Sequence, residues 1–80
     1  MRKVKVHWMD TIQDASGWVD LDEYDYTAHE EAMLMETVGF LMNVTDKSIF
    51  VAQSVGNNQV TGVTCIPFGC ILSIRRMNNG

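Results

Sequence analysis

Apolar and polar residues alternate with a period of two along most of the chain, and this pattern constrains the fold more than any other feature. In residues 3–10, Val4, Val6 and Trp8 fall on one face of an extended strand, and the polar side chains fall on the other. Such a strand is half buried. Since 80 residues support only one hydrophobic core, we predict a single mostly-β domain that spans residues 1–80.

Five strands are predicted, with one irregular acidic stretch between the first and the second. The long strand over residues 32–45 bends at Gly39, although a short helix over residues 30–35 is an open alternative. The acidic stretch is expected to hold a short helical turn within residues 16–26, with Ser16 as its cap. The predicted strands are residues 3–10, 32–45, 48–54, 59–66 and 71–75.

Two turn signals complete the predicted topology. Asn57 and Asn58 suit the positive φ angles of a hairpin turn, and Pro67 and Gly69 fit a one-turn helical connection before the last strand. This order of elements is the plan of small barrels of the Sm-like type. We therefore predict a five-stranded Sm-like barrel with a short helical turn and an acidic excursion between strands 1 and 2.

The basic residues are concentrated at the two ends of the chain. In an Sm-like barrel the first and last strands lie side by side, which would bring Lys3 and Lys5 near Arg75 and Arg76. The sequence thus predicts one basic patch built from two distant segments. The alternative is that these residues only make the edge strands soluble.

The overall charge argues against several classes of function. The net charge is −4, and all ten acidic residues lie between Asp10 and Asp46. Proteins that bind double-stranded DNA non-specifically are normally basic, so we expect no such role, and single-stranded RNA binding ranks third for the same reason. No apolar run approaches the roughly 20 residues that span a bilayer, and no signal peptide is evident. We expect an intracellular protein with reduced cysteines.

Catalysis has little support in the sequence. A cysteine, Cys65 or Cys70, paired with His7 or His29 would suggest a nucleophile and its base. Both cysteines lie in apolar strands, however, where free cysteine is a small buried hydrophobe. We expect His7 to be solvated and His29 to be exposed in a loop. Motifs for phosphate loops, zinc proteases and serine nucleophiles are absent, so we predict that the protein is not an enzyme and needs no cofactor.

The acidic run over residues 20–25 has two interpretations. It lacks the glycine and the distal glutamate of a calcium-binding loop, so we predict a solvated acidic face and no metal site. The same run, with its interleaved aromatic residues, would also suit a basic groove on another protein. We expect those aromatics to pack under the loop.

Several short segments carry a resemblance to a known group of proteins. They are Glu36 to Leu41, Ala52 to Ser54, Ile66 to Ile71 and Ile74 to Arg76. Together they resemble a group of short proteins encoded by bacteriophages, and the likeness covers roughly residues 3–77. The resemblance implies a phage accessory protein, in the cytoplasm of the host bacterium and with a role in evading host defence. It assigns no site residues.

Apolar residues are more numerous than one small barrel interior can hold. In residues 48–54 and 70–74 both faces of the strand are apolar. The second face must be covered by the acidic excursion or by another subunit. We therefore expect a homo-oligomer, and Sm-like barrels typically associate through strand edges.

Two functional hypotheses follow from these patterns. The first is an oligomer that binds or sequesters a small phosphorylated ligand, such as a nucleotide signal. Its candidate residues are Lys3, Lys5, Trp8, Gln53, Asn57, Phe68, Arg75 and Arg76. The second is a protein-protein inhibitor or adaptor that contacts a host protein through an acidic, aromatic surface. Its candidate residues are Trp18, Asp20, Asp22, Glu23, Tyr24 and Asp25.

Overall fold

The computed structural model describes residues 1–15 and 17–77. The chain forms five antiparallel strands in one sheet and one short α-helix, which confirms the predicted mostly-β class. The elements are β1 (Arg2–Met9), α1 (Tyr26–Ala32), β2 (Leu34–Val44), β3 (Ser48–Gly56), β4 (Gln59–Pro67) and β5 (Ile71–Arg76). Their order in the sheet is β4-β3-β2-β1-β5, so the sheet is open and β4 and β5 are its end strands.

The hydrophobic core lies on the face of the sheet to which the valines of β1 point. Val4 and Val6 are 3% and 0% exposed, as their alternation predicts. They pack against Ile49, Val51 and Ile66 from β3 and β4. Partly buried residues extend this cluster at its edges: Trp8, Leu41, Cys70 and Ile71. The core is small, and many apolar side chains therefore remain on the surface.

Strand β2 lies very close to β3 at Gly39. This glycine is buried and stands opposite Val4. A Cβ atom there would contact the carbonyl oxygen of Ala52 and lie 2.8 Å from Cγ1 of Val51. The pairing of β2 with β3 ends one residue away, at Phe40 and Ala52. From this point the two strands diverge, and the β3–β4 hairpin extends beyond the rest of the sheet.

The two predicted turns are confirmed. Asn57 and Asn58 connect β3 to β4 with φ angles of 52° and 59°, a left-handed conformation that asparagine tolerates. A single 3-10 turn, Phe68–Cys70, connects β4 to β5. Pro67 ends β4 at this point because it has no backbone N–H to donate to a ladder.

The excursion between β1 and β2 contains two short helical pieces. A 3-10 turn at Leu21–Glu23 lies within the region where a helical turn was predicted. The predicted cap, Ser16, lies outside the described residues. Helix α1 is instead capped by Asp25, whose carboxylate accepts a hydrogen bond from the backbone N–H of Ala28.

Residues 30–35, for which a short helix and a strand are both predicted, contain the boundary between α1 and β2. The helix ends at Ala32 and the strand begins at Leu34, so this segment is helical in its first half and extended in its second. The backbone N–H of Asp10 donates to the carbonyl oxygen of Met33 at 2.8 Å, which ties the two ends of the excursion together. Within the described residues, no helix has the length and apolar character needed to cross a membrane.

Candidate functional site

The face of the sheet opposite the core, which we call the outer face, brings three distant segments together. Strand β1 lies between β2 and β5. Lys5 stands opposite Val38 on β2 and Arg75 on β5. Residues directly opposite one another in antiparallel strands project from the same face. The outward residues of β1 therefore form rows that run across three strands.

The first row is basic. Lys5 and Arg75 are directly opposite one another, and Lys3 follows two residues away on the same face, with its ammonium 5.5 Å from the centre of the Phe40 ring. We call Lys3, Lys5 and Arg75 the basic row. Like charges opposite one another in a sheet are unfavourable. Among residues 1–15 and 17–77, no carboxylate forms an ion pair with Arg75.

The next row is a polar network centred on His7. Its Nε2 atom lies 2.8 Å from Oε2 of Glu36, and its Nδ1 atom lies 3.2 Å from Oγ of Ser73. The other carboxylate oxygen of Glu36 is 4.0 Å from Nζ of Lys5. The network fixes the imidazole between β2 and β5 and connects it to the basic row through one carboxylate.

Beyond this network the outer face becomes apolar. A cavity of about 320 Å³ is lined by His7, Leu34, Met35, Glu36 and Leu72, and we call it the apolar groove. Leu34 and Leu72 are 57% and 58% exposed. The register of β1 with β5 shifts between His7 and Trp8, so Leu72 has no partner on β1 and bulges outward.

A second cavity, of about 260 Å³, lies where β2 and β3 diverge. Its lining is Glu36, Thr37, Val38, Val51, Ala52, Gln53, Gly62 and Thr64. Polar side chains from both strands contribute to this lining. Gln53, one of the predicted ligand residues, lies here and not on the basic row.

The structure brings together only part of the predicted ligand site. Lys3, Lys5 and Arg75 form one row, whereas Arg76 stands opposite Val4 and thus belongs to the core side of the sheet. Trp8 also lies on that side, and its indole N–H donates to Oγ1 of Thr37 at 2.9 Å. The remaining predicted residues lie on other elements: Gln53 in β3, Asn57 in the hairpin turn and Phe68 in the 3-10 turn. Within one copy of the chain, the eight predicted residues therefore do not share a single site, and the prediction of a ligand held between subunits by these residues stays a prediction.

Sequence analysis did not predict a role for Phe40, Glu36 or Ser73 on the outer face. It also did not predict that His7 belongs to a hydrogen-bond network. His7 was expected to be solvated, and it is instead partly buried with two polar partners. A signal was present, since His7 alternates with Lys5 and Lys3. Its partners follow only from the strand register, which the sequence does not contain.

The acidic segment, which we define as residues 10–31, differs from expectation in its aromatic residues. They were expected to pack under the loop, but Trp18 is completely exposed and Tyr26 is 60% exposed. Tyr24 makes local ring contacts: its ring lies 5.1 Å from that of Tyr26 and 5.2 Å from that of His29. Among the described residues, no aromatic side chain of this segment packs against the hydrophobic core.

A polar contact joins the first part of this segment to α1. His29 lies in the helix, not in a loop as predicted, and its Nε2 atom is 3.0 Å from Oδ2 of Asp14. Burial of Tyr24, followed by a hydrogen bond to Asp14, raises the pKa of the Tyr24 phenol above its ordinary value of 10.0. The other predicted partner residues, Asp20, Asp22, Glu23 and Asp25, are exposed. They form the acidic surface that the sequence predicts.

The two cysteines are free and are less buried than predicted. Cys65 is exposed and Cys70 is only partly buried. Cys65 stands opposite Phe50, whose neighbours Ile49 and Val51 are the core residues. Alternation therefore places Cys65 on the face away from the core.

Comparisons with protein-family models, with curated proteins and with solved structures found no match. In the described part of the chain, no cluster of three or more His, Cys, Asp or Glu residues is arranged to hold a metal ion.

Proposed function

We propose that the protein is a homo-oligomer that binds a small phosphorylated ligand, such as a nucleotide. The observation that carries this proposal is the placement of Lys5 directly opposite Arg75, with Lys3 on the same face. Two cations in this arrangement repel one another, and a bound phosphate would turn that repulsion into two charge-assisted hydrogen bonds. A compact ligand needs only a few cations, so a net charge of −4 is compatible with this function.

The surroundings of the basic row suit a nucleotide better than a bare anion. Phe40 is on the same face beside Lys3 and offers an aromatic surface to a base. Ser73, two residues before Arg75, offers a hydroxyl on the same face. In this proposal Lys3, Lys5 and Arg75 bind phosphate, and Phe40 and Ser73 contact the remainder of the ligand.

We propose a binding role and not a catalytic one. Ser73, His7 and Glu36 are linked in the order of a catalytic triad. Acyl transfer, however, also needs N–H donors aimed at the oxyanion that forms in the transition state. The backbone N–H groups of a strand lie in the plane of the sheet, whereas Ser73 projects from its face. We therefore infer that the role of the network is to orient the side chains of His7 and Glu36.

The proposal also includes an Sm-like barrel fold, self-association and a phage origin. The strand order and the 3-10 turn before β5 support an Sm-like barrel, with β4 and β5 as the strands available for closure. Apolar residues left uncovered on both sides of the sheet support self-association. The resemblance described above supports a phage accessory protein that sequesters a nucleotide signal of host defence in the bacterial cytoplasm.

Substitution of the two neighbouring arginines tests the phosphate site. Titration calorimetry with inorganic pyrophosphate, nucleoside diphosphates and cyclic dinucleotides would identify a ligand for the unmodified protein. Arg75→Ala should weaken its binding at least tenfold. Arg76→Ala is the matched control, since it removes the same charge from the next residue on the opposite face, and it should leave affinity within about threefold. Equal losses in both variants would contradict a site on the outer face.

A second candidate function, an inhibitor or adaptor of a host protein, is favoured by one specific observation. Trp18 is completely exposed and Leu21 is 77% exposed within an otherwise acidic surface. Aromatic residues of this kind act as anchors in protein interfaces. Under this function, Trp18→Ala and the charge reversal Asp22→Lys would each abolish binding to the purified host target while Arg75→Ala would not. The reverse pattern would favour the ligand-binding function.

A further inference from the structure

The acidic segment carries a group of exposed apolar side chains. Trp18 is completely exposed, and Val19 and Leu21 beside it are 52% and 77% exposed. A tryptophan buries roughly 150–250 Å² when it is packed. A soluble chain seldom leaves such a group of side chains in water unless it contacts another molecule.

The apolar groove on the outer face has the properties that a tryptophan needs. Its volume of about 320 Å³ is within the range of pockets that hold small aromatic groups. Leu34, Met35 and Leu72 supply apolar walls, and Glu36 at the edge offers a carboxylate to the indole N–H. We propose that Trp18 of one copy of this chain docks into the apolar groove of a second copy.

Charge complementarity argues for a second copy as the occupant. The acidic segment contains no lysine or arginine, and none occurs in the chain from Asp10 to Asp46. The outer face beside the groove presents the basic row, Lys3, Lys5 and Arg75. The donor segment and the acceptor face of this one sequence are thus opposite in charge, which favours their encounter between copies.

Trp18 is not among the residues that line the groove of its own chain. His29 in α1 contacts Asp14 at 3.0 Å, and Tyr24 packs on His29. These contacts fasten Asp14 and Tyr24, which lie on either side of Trp18 in the sequence, to the helix. A loop fastened in this way presents the indole outward to a neighbour.

The donor and the acceptor are different surfaces, so docking is either reciprocal, in a two-fold dimer, or continues in one direction from copy to copy. The second arrangement produces a closed ring or an open filament. The His7 network separates the groove from the basic row, so a docked neighbour leaves the basic row available at the boundary between subunits. The inference rests on the homo-oligomer in the proposed function and specifies its interface.

The experiment uses native mass spectrometry and sedimentation velocity on purified protein at about 50 μM. Two single variants each remove one side of the contact: Trp18→Ala removes the anchor, and Leu72→Glu blocks the groove. Both changes are at exposed positions, and circular dichroism verifies that the variants fold. We expect each to be monomeric, while Trp18→Phe keeps the oligomer and Val63→Glu, an exposed change on β4 outside the groove, does so as well.

An equimolar mixture of the two monomeric variants gives the sharpest result. Trp18→Ala retains an intact groove and Leu72→Glu retains an intact Trp18, so the mixture should form heterodimers and nothing larger. Unchanged assembly of Trp18→Ala, failure of the mixture to form heterodimers, or a monomeric unmodified protein would each overturn the proposal. A monomer that instead binds a host protein through Trp18 would overturn it in favour of the second candidate function.

Pyrophosphate binding, measured on the same samples, separates this inference from the proposed function. Loss of assembly in Trp18→Ala with binding retained would support the docking contact and place the phosphate site within one chain. Assembly that survives Trp18→Ala, together with pyrophosphate binding that is lost in Arg75→Ala, would overturn the docking contact and leave the phosphate site supported.

Discussion

Gly39 provides the strongest test of the described strand arrangement, because its substitution must move backbone. Gly39→Ala adds a Cβ atom 2.8 Å from Cγ1 of Val51 and closer still to the carbonyl oxygen of Ala52. Carbon atoms pack best at roughly 3.5–4.0 Å, so β2 and β3 must separate by about 1 Å. The valine can rotate away, but the carbonyl oxygen is held in the strand backbone. The last pair between the two strands, Phe40 and Ala52, is adjacent and would be weakened.

The expected loss of stability follows from measured effects of overpacking. Insertion of an extra methyl group into a packed core costs about 1–3 kcal/mol, and a clash with backbone falls in the upper half of that range. For a domain of this size, about 2 kcal/mol lowers Tm by roughly 8–16 °C. Gly56→Ala is the matched control, since a Cβ atom there meets nothing within 4 Å. Its effect should stay within about 0.5 kcal/mol.

Urea unfolding followed by far-UV circular dichroism measures both variants. The protein concentration must be held constant, because self-association makes stability depend on it. A Gly39→Ala variant that is as stable as Gly56→Ala would show that β2 and β3 are not in close contact at this glycine. The adjacent pairing of Phe40 with Ala52 would then also fail.

Three further predictions each depend on one contact. Arg75→Glu should raise the free energy of unfolding by about 0.2–1 kcal/mol, because it replaces the like-charge pair with Lys5 by an opposite-charge pair. The same variant should not bind phosphate. Lower stability of this variant in urea would contradict the register of β1 with β5. Thr37→Val removes the acceptor of the Trp8 indole N–H and should lower the free energy of unfolding by about 1 kcal/mol, whereas Thr37→Ser should lower it by less than half as much. Asp14→Asn should lower the pKa of Tyr24 towards 10.0, as measured by phenolate absorbance. In the unmodified protein the stability contributed by Tyr24 is present below its unfolded pKa of 10.0 and is lost as pH rises through the higher folded pKa.

The strands and turns were predictable because each depends on local chemistry. The buried valines of β1 follow from alternation alone, and the hairpin turn follows from two asparagines that tolerate positive φ. The exposure of Trp18 was not predictable in the same way. Packing of an aromatic residue depends on whether another element lies above it, and that is a property of the tertiary structure.

The candidate site was only partly predictable, because it depends on register. The sequence shows that Lys3 and Lys5 share one face of β1, but it does not show which arginine of β5 lies opposite Lys5. A shift of one residue would place Arg76 opposite Lys5 in the position of Arg75, and all side chains of the strand would move to the opposite face of the sheet. Both faces of β5 are apolar near its start, so the hydrophobic pattern does not distinguish the two registers.

Glu36 connects the two proposed sites on the outer face. Its carboxylate lies 2.8 Å from His7 and 4.0 Å from Lys5, and it also lines the apolar groove. If a docked indole draws this carboxylate towards the groove, Lys5 loses its counterion and becomes a better phosphate ligand. Binding free energies couple reciprocally, so through this carboxylate phosphate should in turn favour docking, and this gain opposes the loss of attraction between the acidic segment and a neutralised basic row.

Glu36→Gln tests this connection, because it removes the charge and keeps the shape of the side chain. Loss of a partly screened attraction of about 1 kcal/mol or less should raise phosphate affinity by up to about fivefold. Glu31→Gln in α1 makes the same change in net charge at a residue outside the groove and the polar network, and it is the control for long-range effects. If the two variants bind pyrophosphate equally well, the carboxylate of Glu36 does not weaken the binding of phosphate by Lys5. The phosphate site and the docking site would then act independently.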